Sequence, residues 1–485
     1  MMKSKVDSKF TPMIGLEIHC QLNTLKTKLF CSCNAQFRGE EPNTYTCPVC
    51  LGLPGSLPTV NENAIDCAIK LAHAFDSKIN KRMYFFRKNY FYPDLPQNFQ
   101  ITQYNKAGGV AFADGGTISI KFDNKIKNIE LDRFHLENDP GKLVHEGGDI
   151  ESSNETLVDY NRSGIALIEI VTKPVIESPR EARIFLKKLR SIISHCEIVD
   201  LTKDGAMRVD ANISIKGHAR AEVKNINSFK EVERALKWEI KRQINKLKKG
   251  QETEQETRNW NGKITTLLRS KESENEYRYF PEADLVPIEI KQDWIDDIKE
   301  KMPELPDERI ARLQEEYGLK EYDATVITED KEVADFYEEC CKLNENYEAI
   351  KNWLMNDIMG ILNEENLSIS STELKPKLVD EFISAIDSGK VTTKIAKKYI
   401  SKIIKGIGIK KWMKKQGVKK ITDKEKLNEL ADKIISDNPD VVEDLKKKPK
   451  TFQYFVGQMM KATRGQADIQ LTRKILKEKL KKYMK

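Results

Sequence analysis

The sequence predicts an α+β protein: a sheet-based domain over residues 1–294, a helical domain over 295–405 and a small helical tail over 406–485. Three observations carry this reading. A chain of 485 residues with 39% hydrophobic content exceeds what one core supports and can fill several. Up to about residue 290 strand-like alternation dominates, with scattered helices and no regular βαβ repeat, which fits a largely antiparallel sheet; beyond 295 successive segments show helical periodicity. Charge is uneven too, because residues 406–485 hold 22 Lys/Arg against 10 Asp/Glu while the whole chain carries only +7.

Taken in order, MMKSKVDSKF lacks the apolar core of a signal peptide, and no run approaches the length of a membrane span, so a cytoplasmic protein is expected. IGLEIHCQL (14–22) reads as a strand with Glu17, His19 and Gln21 on one face and Leu16, Ile18, Cys20 and Leu22 on the other. A solvent-facing polar side explains this as well as a liganded one. Next come CSC (Cys31, Cys33) and CPVC (Cys47, Cys50), two short pairs about 14 residues apart. In a cytoplasmic chain, four thiols at this spacing suit a closed tetrahedral zinc site. Reduced, unliganded cysteines and a redox pair are the alternatives. Cys20, Cys67, Cys196, Cys340 and Cys341 read as small core residues.

ENAIDCAIKLAHAF (62–75) and EARIFLKKLRSIISH (181–195), the latter after a Ser-Pro start signal, are helices. FFRKNYFYPDLPQNFQITQY (85–104) interleaves aromatics with Arg87 and Lys88, as an aromatic core edge or as a base-stacking surface. GGVAFADGGTISIKF, IALIEIV and MRVDANISI are strands, and KKGQETEQETRNWNGK (248–263) reads as an exposed loop or hairpin approach. The helical segments after 295 break at PELPDE. No P-loop and no glycine-rich Rossmann turn occurs, which excludes the ordinary nucleotide folds.

Carboxylates recur on the strand faces. His135, Glu137 and Asp139 share one side of DRFHLENDPGK; Arg208, Asp210, Asn212 and Ser214 share one side of MRVDANISI. Glu169 is the single polar side chain in an apolar strand, where a carboxylate costs several kcal/mol unless it is paired, protonated or bound to a cation. If these strands lie side by side, Glu17, His19, Glu137 and Glu169 form an oxygen-rich nest suited to magnesium or manganese and to phosphoryl transfer. Half-exposed strands with one salt-bridged Glu169 are the competing explanation.

IGLEIHCQL, RKNYFYPD followed by QITQY, HLENDPGK, DYNRSGIALIEIVT, MRVDANISI, EVKNINSF and YRYFPEADLVPI, in this order, resemble the B subunit of the aspartyl/glutamyl-tRNA(Asn/Gln) amidotransferase; FVGQMMKATRGQAD resembles that family's C-terminal domain. The resemblance covers essentially the whole chain. It implies a cradle catalytic domain with a zinc-binding insert near 31–50, then helical and tail domains. It also implies an ATP-dependent ligase working in a heterotrimer with an amidase partner and a small third partner. The side-chain carboxylate of misacylated Asp-tRNA(Asn), Glu-tRNA(Gln) or both would be phosphorylated from ATP and then amidated with ammonia released by the amidase partner.

Carried across, the Mg2+ site would use Glu17, His19, Glu137 and Glu169, with Asp210 as a neighbour and His19 as ligand or proton carrier. Family members often have two consecutive acidic residues where this chain has Glu137 and Asn138, and strand alternation assigns the role to Glu137. Arg208 and Lys224 would contact phosphate, Tyr90 and Tyr92 would line the ammonia chamber, and Lys461 and Arg464 of the basic tail would meet tRNA. Zn2+ at the four cysteines would be structural, since only some members have such a site. Two other readings stand beside this one. The sister protein of an archaeal Glu-tRNA(Gln)-specific amidotransferase carries an inserted domain for which this chain leaves no room. A noncatalytic, zinc-stabilised tRNA-binding scaffold leaves Glu169 without a purpose.

Overall fold

Residues 12–21 form one strand because Ile14, Leu16, Ile18 and Cys20 alternate onto a single side, and all four are buried. The computed structural model describes residues 10–145, 153, 155–270, 274–365, 367–416, 423–445, 451–463 and 466–481. Within them a ten-stranded sheet comprises β1 (Pro12–Gln21), β2 (Lys78–Ile79), β3 (Ala113–Asp114), β4 (Thr117–Phe122), β5 (Lys125–Asn138), β6 (Ala166–Thr172), β7 (Met207–Ile215), β8 (Ala221–Ile226), β9 (Glu256–Trp260) and β10 (Thr265–Ser270). Their spatial order is β10-β9-β8-β7-β1-β6-β5-β3-β2, with β4 pairing β5. All pairs are antiparallel except β8 with β9, which the helix Phe229–Lys248 joins by a crossover.

Three helices cover the apolar side: α1 (Glu62–Phe75), α2 (Pro179–His195) and α3 (Phe229–Lys248). Each start is written locally. Asn61, Ser178 and Ser228 accept hydrogen bonds from the backbone N–H groups of Asn63, Glu181 and Glu231, and Pro179 opens α2. Leu16 and Ile18 share one core with Phe185 and Leu189 of α2 and with Val232 and Leu236 of α3. Burying each such side chain contributes roughly 1.5–3 kcal/mol, so the apolar face locks the register and leaves the opposite face for polar groups.

A smaller sheet of Phe86–Asn89, Phe99–Thr102 and Phe280–Pro281 leans on the end of β5. Asn138 fastens it: its Oδ1 accepts from the Ile101 N–H at 2.8 Å, and its carbonyl accepts from Gln100 Nε2 at 2.9 Å.

Of the two expectations for 248–263, the hairpin approach is what forms, since Glu256–Trp260 pairs antiparallel with Thr265–Ser270; the exposed loop does not describe it. Glu256–Trp260 is an inner strand of the large sheet, with Thr257 and Arg258 buried. Its polarity is neutralised from α3. The buried Glu239 carboxylate accepts from Arg242 at 2.7 Å, Gln243 at 2.9 Å and Thr265 at 2.7 Å, while Arg258 bonds Glu256 at 2.8 Å. A closed ionic network lets a polar sequence occupy a sheet interior.

The chain divides into two compact units, Met1–Arg309 and Ile310–Lys485. The second unit is helical and holds two hydrophobic clusters. One spans residues 313–409, with Tyr337, Phe382 and Tyr399 at its centre; the other spans 427–480 around Phe455, Met459 and Leu476. No helix among the described residues is long and apolar enough to cross a membrane.

Candidate active site and metal centres

The polar face of β5, β6, β1 and β7 is a lattice, because residues opposite one another in paired strands point the same way. One row across these strands is His135, Glu169, His19, Arg208; the row beside it is Arg133, Val171, Glu17, Asp210. Glu137 and Gln21 occupy the next row, on either side of Leu167. Residues 17, 19, 137 and 169, far apart in the chain, therefore meet. His19 Nε2 lies 3.8 Å from Glu17 Oε1, 3.6 Å from Glu137 Oε1 and 3.9 Å from Glu169 Oε2. One ligand atom from each of Glu17, His19 and Glu169 falls within 4.8 Å of the others, a spacing that a single cation can bridge. Glu137 turns to this cluster with Thr102 Oγ1 donating to its Oε2 at 3.1 Å, while Asn138 faces the small sheet.

The electrostatics of this face are under tension. Burial first, then Glu17 and Glu137, push the Glu169 carboxyl up to about 7, against the opposing pull of His19 and Lys88. Burial disfavours charge on His19, yet Glu137, Glu169, Glu17 and Asp210 outweigh it and raise its pKa. His135 lies at 5% exposure; burial, with Arg133 and Lys88 nearby, pushes it down to about 3, so it is a neutral imidazole. Glu17 and Glu169 with His19 form a donor set of hard oxygens and one nitrogen, with Glu137 beside it, which suits a divalent cation of the magnesium or manganese type.

Glu137, expected as a ligand, lies outside the group that could share a cation in the positions described, and so does Asp210, expected as a neighbour of the ligands. Asp210 accepts from Lys224 at 2.5 Å, and Lys224 also pairs with Glu222 at 3.0 Å. The lysine expected on phosphate is thus held by two carboxylates at the wall of the site, its pKa raised by Asp210, Glu222 and Glu17 against its burial. Arg208 donates to Asp139 Oδ1 at 3.0 Å and keeps 45% of its side chain exposed. Tyr90 and Tyr92 line a cavity of about 490 Å³ that also reaches Glu17, Lys88, Lys224, Arg269 and Tyr277.

Sequence neighbourhood groups Lys88 with Arg87, and the structure separates them. Arg87 is committed to Glu282 at 2.7 Å and Asp284 at 3.0 Å. Lys88 is caged by the rings of Tyr90 at 5.6 Å and Tyr277 at 5.0 Å. Its charge survives burial through Tyr90, Glu137 and Glu169. Strand alternation along RKN carries the signal that distinguishes the two cations.

The four cysteines converge independently. A sulfur from each of Cys31, Cys33, Cys47 and Cys50 lies within 4.8 Å of the others. The fully buried Lys28 ammonium donates to the Tyr45 carbonyl at 2.8 Å and to Cys50 Sγ at 3.5 Å. A hydrogen bond from Cys31 first, then Lys28 and the Cys47 N–H, pull the Cys50 thiol down to about 5 against its burial. A thiolate so stabilised is a ready metal ligand. In the second unit Lys461 is exposed near the end of the helix Phe452–Ala462; Arg464 lies outside the described residues.

Residues 12–296 match the family model described as the GatB/GatE catalytic domain, and residues 335–480 match the GatB domain. The B subunit of the aspartyl/glutamyl-tRNA(Asn/Gln) amidotransferase of Sulfolobus acidocaldarius is 46% identical over 470 residues, 96% of this chain and 99% of that protein. The protein of the same name from Thermotoga maritima is 44% identical over 484 residues, covering 97% and 99%. That of Carboxydothermus hydrogenoformans is 42% identical over 485 residues, covering 98% and 99%. Matched along its length, and with the polar lattice in the part that matches the catalytic domain, the chain belongs to the family of aspartyl/glutamyl-tRNA(Asn/Gln) amidotransferase B subunits, glutamine-dependent ligases that amidate tRNA-borne residues.

Proposed function

We propose that the lattice of Glu17, His19, Glu137 and Glu169 is where the side-chain carboxylate of Asp-tRNA(Asn), Glu-tRNA(Gln) or both is activated with ATP. The observation that carries the reading is three carboxylates gathered within 4 Å of one half-buried imidazole, with Glu169 in a strand whose other residues are apolar apart from Thr172. A carboxylate is a poor electrophile, and transfer of the ATP γ-phosphoryl group to it creates a leaving group that ammonia can displace. Mg2+ at this donor set would neutralise charge on the transferred group. Around it the chain's own residues divide the work. Glu17, Glu137 and Glu169 supply oxygens. His19 supplies either a ligand nitrogen or, with its raised pKa, a proton carrier. Lys88, Lys224 and Arg208 put positive charge where phosphate oxygens arrive, and Tyr90 and Tyr92 wall the chamber that ammonia enters.

The remaining parts follow the same reading. An amidase partner and a small third partner complete a cytoplasmic heterotrimer. Zn2+ at Cys31, Cys33, Cys47 and Cys50 is structural, because four protein ligands leave no open position. The basic tail, through Lys461, Arg464 and neighbouring lysines, meets tRNA phosphates. The test is Glu169→Gln in the reconstituted complex: Mg2+-dependent ADP formation is lost while tRNA binding is kept. Loss of both together, or AMP in place of ADP, would overturn the proposal.

A further inference from the structure

Arg38 reaches the polar lattice from outside the sheet. It is carried by the segment between Cys33 and Cys47, and its guanidinium donates to Gln21 Oε1 and, at 3.0 Å, to the Asp204 carbonyl. Gln21 is the last polar residue on the face of β1 that bears Glu17 and His19. Its amide nitrogen donates at 2.6 Å to Asp139 Oδ2. Asp139 is fully buried, and its other oxygen accepts from Arg208 at 3.0 Å. Arg208 stands directly opposite His19 across the β1–β7 pair. The four side chains are thus consecutive links from the cysteine loop to the imidazole row.

Donor chemistry gives this sequence of links a direction. A primary amide can present either its oxygen or its nitrogen, and the two orientations have nearly the same shape. Arginine only donates and an ionised carboxylate only accepts, so Arg38 on one side and Asp139 on the other permit a single orientation of Gln21. Without Arg38, Asp139 still favours the amide nitrogen, but Gln21 Oε1 has lost its charged donor and this contact no longer holds the side chain against turning away from the carboxylate. Asp139 then loses a hydrogen bond in a site with no solvent to replace it, and its grip on Arg208 changes. Asp139 cannot rebalance through Arg162, whose Nε stays 3.9 Å away while the same guanidinium donates to the Pro140 carbonyl at 3.0 Å.

We propose that Arg38 is a positioning residue for this enzyme: it fixes the Gln21 amide, and through Asp139 it holds Arg208 over the face where the phosphoryl group is transferred. The inference rests on the proposed function of that face. The four-cysteine loop then has a task besides local stability, since it delivers Arg38. Partners at this remove from reacting groups alter activity about 10- to 100-fold when removed.

The experiment compares Arg38→Met, Gln21→Met, the double variant and Arg38→Lys in the full complex, measuring ADP formation and amidated tRNA. Expected is a loss of about tenfold in kcat for each single methionine variant, with KM for aminoacyl-tRNA and ATP within about twofold of the parent. The double variant is expected to be no worse than either single one, because both break the same sequence of contacts. Arg38→Lys, which still donates to Oε1, is expected to recover most of kcat. Unchanged kcat in Arg38→Met, losses that multiply in the double variant, or equal defects in the lysine and methionine variants would each overturn the proposal. Failure of the proposed function itself reads differently: the parent complex would form AMP, or Glu169→Gln would leave ADP formation intact.

Discussion

Glu169→Gln should make the metal-free protein more stable, and magnesium should erase that advantage. The Glu169 carboxyl moves from 4.5 to about 7 on folding, chiefly because burial and the neighbouring Glu17 and Glu137 disfavour its charge. The folded state therefore holds a proton that the unfolded state has released. Stability tied to this group is full below pH 4.5 and is lost as pH rises through about 7. At about 1.4 kcal/mol for each tenfold change in proton affinity, the loss comes to roughly 3 kcal/mol at pH 8. Glutamine keeps the shape without the charge. Denaturant unfolding of the sheet-bearing unit, followed by tryptophan fluorescence without divalent cation, should show the variant equal to the parent near pH 4 and more stable by up to about 3 kcal/mol at pH 8. Adding magnesium stabilises only the form that binds it, so the parent should gain and the variant should not. A variant less stable than the parent at pH 8 without metal, or an equal magnesium gain in both, would refute the assignment.

Removing Glu239 by Glu239→Ala leaves Arg242 and Arg258 short of a buried partner and should cost about 3–5 kcal/mol in denaturant unfolding. The Glu239 carboxyl is held below its usual 4.5 by Arg242, Gln243 and Thr265 in spite of burial, so its contribution is present above pH 4.5 and fades as pH falls through the lowered value. Glu239→Gln should therefore flatten the acid limb of the stability profile. Lys28→Met should weaken zinc binding about 10- to 100-fold in competition with a chromophoric chelator, because the ammonium that favours the Cys50 thiolate is gone. Gly109→Ala would drive a methyl group into the Tyr104 carbonyl and the Phe86 ring and should destabilise by about 3 kcal/mol, with loss of the near-UV signal of the stacked Tyr104 and Tyr279. Tail binding to tRNA should weaken steeply with salt, and each phosphate-contacting lysine removed should lower the logarithmic salt slope by about 1.

Period-two patterning makes much of the site legible from the amino-acid order alone. Glu17 and His19 stand on one face of β1, and Glu169 stands alone in an apolar strand whose every neighbour demands burial. Alternation likewise chooses Glu137 over Asn138, and the structure shows what Asn138 does instead, fastening Ile101 and Gln100. The order of the strands is not legible, because β1 opens the chain yet lies between β6 and β7, a placement set by long-range packing. Polarity misleads at 256–260, where charges that look solvated are neutralised by Glu239 and Arg242 from a helix. Lys88 and Arg38 are hidden for a related reason: a long cation reveals its role only once its partners are placed.

The row His135–Glu169–His19–Arg208 exists only in one register. Sliding β1 by a single residue would turn Glu17 and His19 toward the helices and Leu16 and Ile18 toward the cavity. On the proposed function, a misassembled chain would lack the site and could not begin a reaction it could not finish. Under that reading, competence to consume ATP would double as a certificate of correct folding, written in the sheet's own hydrogen bonds.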